Sequence, residues 1–246
     1  MSVTLVRPQP DLGSPSLVAP PPYGYLLFGA TIAPPKGPPI VRRNATRQTV
    51  LTRISQQLEE LAKLEFVVRA TGYRAVVIPP ARPPRLRPAL EPPRFDVTVL
   101  IETDTPDSLS ELGATPGVHA MRTVLHGSAS HVKELQARCV KAIADVEKRA
   151  RGTYLFNYWA AEDPQTALEL FDKLAPWFET NTGLQNSTVL QSLGDDDFAF
   201  VNHARWDSGV LSVAAHQFLR PSFHRFVRPT LDANNIQVYP ALYRKL

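Results

Sequence analysis

Apolar positions along the chain switch between alternating and helical spacing, and the switches occur in the same order twice. Tyr23–Ile32 is almost continuously apolar and short, which predicts a buried strand. Pro34, Pro35, Pro38 and Pro39 force a loop. Val50, Ile54, Leu58, Leu61, Leu64, Val67 and Val68 then follow helical spacing, with Asn44 or Thr46 placed to cap that helix. Gly72 after Thr71 reads as a left-handed helix stop, and Tyr73–Ile78 as a strand. Residues 79–94 carry too many prolines to join a ladder and are expected as an exposed hairpin insertion. Phe95–Thr103 is the clearest strand of this half. Thr105-Pro106 opens a short helix that Gly113, Pro116 and Gly117 cut off, and His119–His126 is expected as the closing strand.

Residues 130–149 show a stripe of Val132, Leu135, Cys139, Val140, Ile143 and Val146, which predicts a connecting helix. The order then repeats. Tyr154–Ala161 is a strand, and Asp163-Pro164 caps a helix carrying Leu168, Phe171, Leu174 and Phe178. Thr182-Gly183 stops it, as Thr71-Gly72 is read to do in the first half. Residues 188–192 and 198–206 are strands around the turn Gly194-Asp195-Asp196. A helical stretch from about Ser208 to Asp232, broken near Pro221, leads to a closing strand at Gln237–Arg244.

Both halves therefore read β-α-β-β-α-β. Crossover helices returning to one sheet give the ferredoxin-like topology, so the expected class is α+β: tandem ferredoxin-like repeats forming a dimeric-α/β-barrel-type architecture. The expected division is a disordered arm over 1–22, a first repeat over 23–128, a connecting helix over 129–150 and a second repeat over 151–246. Two repeats supply two sheets, which favours a barrel closed within one chain, with homodimerisation left open. A single irregular α+β domain is the alternative.

Composition narrows the function classes. The 246 residues carry a net charge of +4, with 20 Arg against 7 Lys and 24 Pro. The only dense basic group, Arg82, Arg85, Arg87 and Arg94, alternates with prolines and has no aromatic stacking partners, so nucleic acid is not an expected partner. No run approaches the roughly 18 apolar residues of a membrane span, and no leader pattern opens the chain; the expectation is a cytoplasmic protein with no membrane partner. The lone Cys139 excludes an internal disulfide and a cysteine zinc cluster. His119 and His126 are seven residues apart on their expected strand, hence on opposite faces, and with His131 make a poor metal set. Asp195, Asp196 and Asp197 lack the spacing of a calcium loop. Nucleotide-binding, nucleophile-elbow and zincin motifs are absent.

The chemistry clusters after Phe198. Trp206 ends a strand, Asp207 and Ser208 open a helix, His216 follows, and Pro221-Ser222-Phe223-His224 begins a further turn. Here the sequence resembles the antibiotic-biosynthesis monooxygenase family and its dimeric α/β-barrel relatives, whose third strand ends in Trp-x-Ser and whose next helix carries a His and then a small-residue/Pro/Phe segment. The closing residues 238–243 (VYPALY) look like that family's last strand. The resemblance covers about Thr153–Leu246; the first half shares only element order and has Thr103 where the second has Trp206.

The resemblance implies cofactor-independent oxygenation of a small aromatic molecule, a quinol or a polyketide-like compound, in a dry cavity of the second half. Polar groups would stabilise the substrate anion and then a peroxide. The residues expected in catalysis are His216, His224 and Asn157. Those expected to bind substrate are Trp206, Asn202 and Trp159; alternation puts His203 on the opposite face. A non-catalytic binding or stress-related protein of the same fold is the alternative, in which Phe156, Phe200, Phe218 and Phe223 would fill the cavity. A haem-binding or haem-degrading relative would use Asn157 with His216 or His224.

Overall fold

The computed structural model describes residues 12–80, 90–147 and 150–246. The first half runs β1 (Gly24–Thr31), α1 (Ala45–Leu61), β2 (Val67–Val77), β3 (Val97–Thr103), a short 3-10 turn, α2 (Leu109–Gly113), α3 (Pro116–His126) and β4 (His131–Ala144). The second runs β5 (Thr153–Ala160), α4 (Pro164–Thr182), β6 (Ser187–Ser192), β7 (Phe200–Trp206), α5 (Val210–Phe218), a π-wound turn (Phe223–Val227), α6 (Arg228–Ala233) and β8 (Gln237–Lys245). The strands close into one antiparallel barrel in the order β1-β3-β2-β8-β5-β7-β6-β4. Each half contributes four neighbouring strands. The seams are β2 with β8 and β4 with β6, so a single chain completes the barrel.

Three apolar layers follow from strand alternation. Inward-facing side chains fill the barrel with aromatic rings, among them Tyr25, Tyr73, Phe95, Tyr154, Phe156, Tyr158 and Tyr243. The outward faces of β1 and β3 (Leu26, Phe28, Ala30, Val97, Val99, Ile101) pack under α1 and α3. The outward faces of β5 and β7 pack under the helices of the second half. A buried ion pair braces the first half: the Arg47 guanidinium lies 2.7 Å from Asp96, whose carboxylate also accepts the N–H groups of Ile32 and Ala33. That joins the start of α1 to the end of β1 and the start of β3.

Several expectations are corrected. α1 ends at Leu61, and Val67 and Val68 belong to β2. Thr71-Gly72 is not a helix stop but mid-strand. A Cβ at Gly72 would sit 2.6 Å from Leu246, whose N–H donates to the Gly72 carbonyl; the glycine permits close approach of the chain end. Asn44 does cap α1, accepting from the Arg47 N–H. His119–His126 is helical because Thr115 caps α3, Pro116 takes its first position, and Val118, Met121 and Leu125 form its buried face. Residues 131–144 form a strand, not a connecting helix. Leu135, Ala137 and Cys139 alternate inward, and irregularities after Cys139 and Ala142 shift the alternation so that Val140 and Ile143 fell on helical spacing. Of the arm, residues 12–22 lie against the barrel, with the Val18 N–H donating to Ala142 and Leu12 packed on the second-half core. Arg82, Arg85 and Arg87 lie outside the described residues; Arg94 donates to the Pro35 carbonyl.

Candidate functional site

The second half is built around α4, which Asp163 opens by accepting the Gln165 and Thr166 N–H groups and Gly183 closes in the left-handed conformation at φ 68°. Hydrogen bonding of the Asp163 carboxylate to Thr166 and these amides lowers its pKa. The second helical layer follows β7 and is interrupted by the π-wound turn. That winding turns Phe223 and Val227 inward while His224 and Arg225 remain exposed.

Between this layer and the outward faces of β5 and β8 lies a cavity of about 280 Å³. Asn157, Trp159, Val238 and Pro240 form its floor. Leu174 and Phe178 of α4, Phe223 and Val227 of the π-wound turn, and Leu231 of α6 form its apolar walls. Arg228 and Asp232, one helical turn apart on α6, bring opposite charges to it, joined by Gln217 and Gln237. Pro79 and Pro80, just beyond β2, supply a wall from the first half. Tyr239 borders the cavity along β8, but its ring faces the barrel interior near Phe198, where burial raises its phenol pKa.

Two floor groups lack partners among the described residues. The Asn157 Oδ1 and the Trp159 Nε1–H are both buried and make no hydrogen bond with the described residues. They sit two residues apart on one strand face, with the Trp159 ring stacked on Phe200 at 4.9 Å. Asn157 pairs in register with Asn202 on β7, so two amides lie side by side beneath the helices. Asn202 is committed differently: its Oδ1 accepts from the Ser187 hydroxyl at 2.6 Å. In the first half the corresponding register pair is Phe28 and Val99, both apolar and buried.

Of the sequence-predicted residues, Asn157 and Trp159 line the cavity. Asn202 adjoins Asn157 on the sheet, and Trp206 is buried in the same core at the far end of β7; neither lines the cavity. His216 is exposed, its Nδ1 within 2.9 Å of the Ser212 carbonyl one turn back, and His224 is exposed beside Phe223. The structure thus does not bring these two imidazoles to the floor residues. His203 faces the barrel interior as alternation requires, stacked on Phe156 at 4.2 Å with Nδ1 2.9 Å from the Leu155 carbonyl. Gln217, Arg228, Asp232 and Gln237 were missed by sequence reasoning. Their one legible signal was the i,i+4 charge pair in a segment otherwise free of acids. Phe156 lies inside the barrel, Phe200 packs against Trp159 and Phe223 forms a wall; none of the three fills the cavity, and the Phe218 side chain lies outside the described residues.

Solved structures share this architecture over nearly the whole chain. An anthrone oxidase-like protein superposes with a TM-score of 0.62 at 13% identity, covering 91% of each chain. A candidate monooxygenase from Fusobacterium nucleatum gives 0.55 at 10% identity, with 91% of this chain and 92% of that one covered. A second candidate monooxygenase, from Lactobacillus acidophilus, gives 0.50 at 7% identity over 90% and 93%. The chain has the dimeric α/β-barrel fold. No protein-family model and no curated protein matches its sequence. Within a dimeric α/β barrel assembled from one chain the two halves are free to differ, and among the described residues the Asn157/Asn202 pair of the second is replaced by the apolar Phe28/Val99 pair in the first.

Proposed function

We propose that the second-half cavity binds a small, electron-rich aromatic molecule bearing hydroxyl or carbonyl groups, and that it promotes that molecule's oxidation by dioxygen without a cofactor. The observation that carries the reading is an apolar-walled cavity whose floor holds Asn157 and Trp159, each with a buried polar atom that no described residue satisfies. Buried polar groups normally find partners, and a ligand with a hydroxyl and a carbonyl on one ring system supplies both. Rotation of the Asn157 amide would be needed to bring its oxygen to such a ligand, and the Arg228 guanidinium at the cavity would favour an anionic form. For a methylene flanked by aromatic rings, loss of a proton gives a carbanion that dioxygen attacks. The resulting peroxide loses water, so CH2 plus O2 gives C=O plus H2O. Asp232, the carboxylate that lines the cavity, would take the first proton. The anthrone oxidase-like neighbour supports the fold this reading needs and leaves the substrate to experiment.

One observation favours a second reading, binding without catalysis: no histidine lines the cavity among the described residues. The same absence means the donor set of this cavity does not fit a haem held by an axial imidazole. Calorimetry and oxygen-electrode traces on a panel of anthrones and hydroquinones separate the two. Binding with oxygen uptake that Asn157→Leu and Trp159→Phe both depress supports catalysis, and binding without uptake supports the second reading. A panel that neither binds nor reacts at millimolar concentration would end both.

A further inference from the structure

α5 is amphipathic in an unusual way. Val213 is buried beneath it, whereas Leu211 and Leu219 are 80% and 78% exposed and Ala215 lies exposed between them. At 100° per residue these three fall within an arc of roughly 80°, so they form one apolar outward stripe. The segment between Asp207, which pairs with Arg205, and Asp232 has no acid of its own and carries Arg220, Arg225 and Arg228; Arg225, His216 and His224 are exposed, and Arg220 and Arg228 are half-buried.

We infer that this face docks on an anionic lipid surface. Charge complementarity decides among occupants. Two copies meeting isologously through the stripe would bring the same arginines together with no acid in the segment to offset them. Two exposed leucines projecting from one helix suit a fluid apolar layer better than a rigid protein socket. The segment also reaches the cavity, which Gln217, Phe223, Val227 and Arg228 line. A docked chain therefore holds an apolar binding cavity next to the phase in which lipophilic aromatics concentrate. No helix is long and apolar enough to cross a membrane, and none is needed, since the association is interfacial. The sequence-based expectation of no membrane partner rested on the absence of a spanning run, which does not bear on surface docking.

The full chain should co-sediment with vesicles of phosphatidylcholine and phosphatidylglycerol, not with phosphatidylcholine alone, and added salt should release it. Arg225→Gln should weaken binding about fivefold. Leu211→Gln and Leu219→Gln should each weaken it about tenfold. Their unchanged melting temperature would show that these exposed leucines do not hold the fold. Absence of binding to the anionic vesicles overturns the inference, as does binding that survives Leu211→Gln/Leu219→Gln. So does a dimer in light scattering that this double variant dissociates, which would make the stripe a contact between copies. Calorimetry of an anthrone probe in lipid-free buffer, with the double variant, tests the cavity separately.

Discussion

Replacing Asn157 by Leu should make the protein more stable and its cavity a worse host. The wild-type Oδ1 is buried with no partner among the described residues, and leaving such an acceptor unmade costs about 1–3 kcal/mol. Asn157 is only half-buried overall, so the lower part of that range, about 1–2 kcal/mol, is the gain expected when the amide is removed. Leu also adds apolar surface to a floor that already contains Trp159, and the 280 Å³ cavity has room for it. The first half shows the pattern in place, with Phe28 opposite Val99 where the second has Asn157 opposite Asn202. For a chain of this size the gain corresponds to a rise in melting temperature of about 2–8 °C. Loss of one hydrogen bond to a bound anthrone or hydroquinone should lower its affinity about 3- to 10-fold. Calorimetric melting and ligand titration of the same preparations read both. A lower melting temperature with unchanged affinity would refute the reasoning, because it would mean that the amide works for the fold and not for a ligand.

Trp159→Phe keeps a ring on Phe200 and removes the partnerless Nε1–H, so ligand affinity should fall about 3- to 10-fold with stability little changed; fluorescence titration of a hydroxylated probe is the check. Arg47→Met strands the buried Asp96 carboxylate with only two backbone donors and should cost about 3–5 kcal/mol in urea unfolding; a loss well under that would deny the pair its bracing role. Asp163→Ala should cost about 1 kcal/mol at neutral pH through loss of the α4 cap. Because the folded pKa of Asp163 is lowered, its charged form stabilises the fold above the unfolded carboxylate range, and the gap to wild type should narrow as pH falls through the folded value. At the alkaline end, burial raises the pKa of Tyr25, Tyr73, Tyr158 and Tyr243 in the barrel. Their neutral forms favour folding below the unfolded phenol pKa of about 10, and that stability drains away as pH rises beyond it. Tyrosinate absorbance from these four should therefore appear only together with unfolding.

The repeat was legible because its signals were local. Asn44 before α1, Asp163-Pro164 before α4 and the short apolar runs of β1, β3, β5 and β7 each announce themselves within a few residues. The misread pieces were those that tertiary contact decides. Gly72 looks like a cap until the chain end is seen lying against it, and residues 131–144 have apolar positions that satisfy both periods until two strand irregularities are known. For the site, alternation correctly set His203 apart from Asn202 and Trp206. Asn157 and Trp159 were visible as a polar and an aromatic residue on one face. What no local pattern could show was that α5 turns His216 outward, or that Arg228 and Asp232 of α6 line the cavity with Asn157 and Trp159.

A barrel completed by one chain has a consequence for stoichiometry. When two identical chains build such a barrel, symmetry obliges every cavity to occur twice, and the sites compete for or share whatever is bound. Here the equivalent space in the first half is occupied by Phe28, Val99 and the helices over them. A titration should therefore saturate at one ligand per chain, with a Hill coefficient of one, and dilution should leave that capacity untouched, since no protomer has to be recruited to finish the wall.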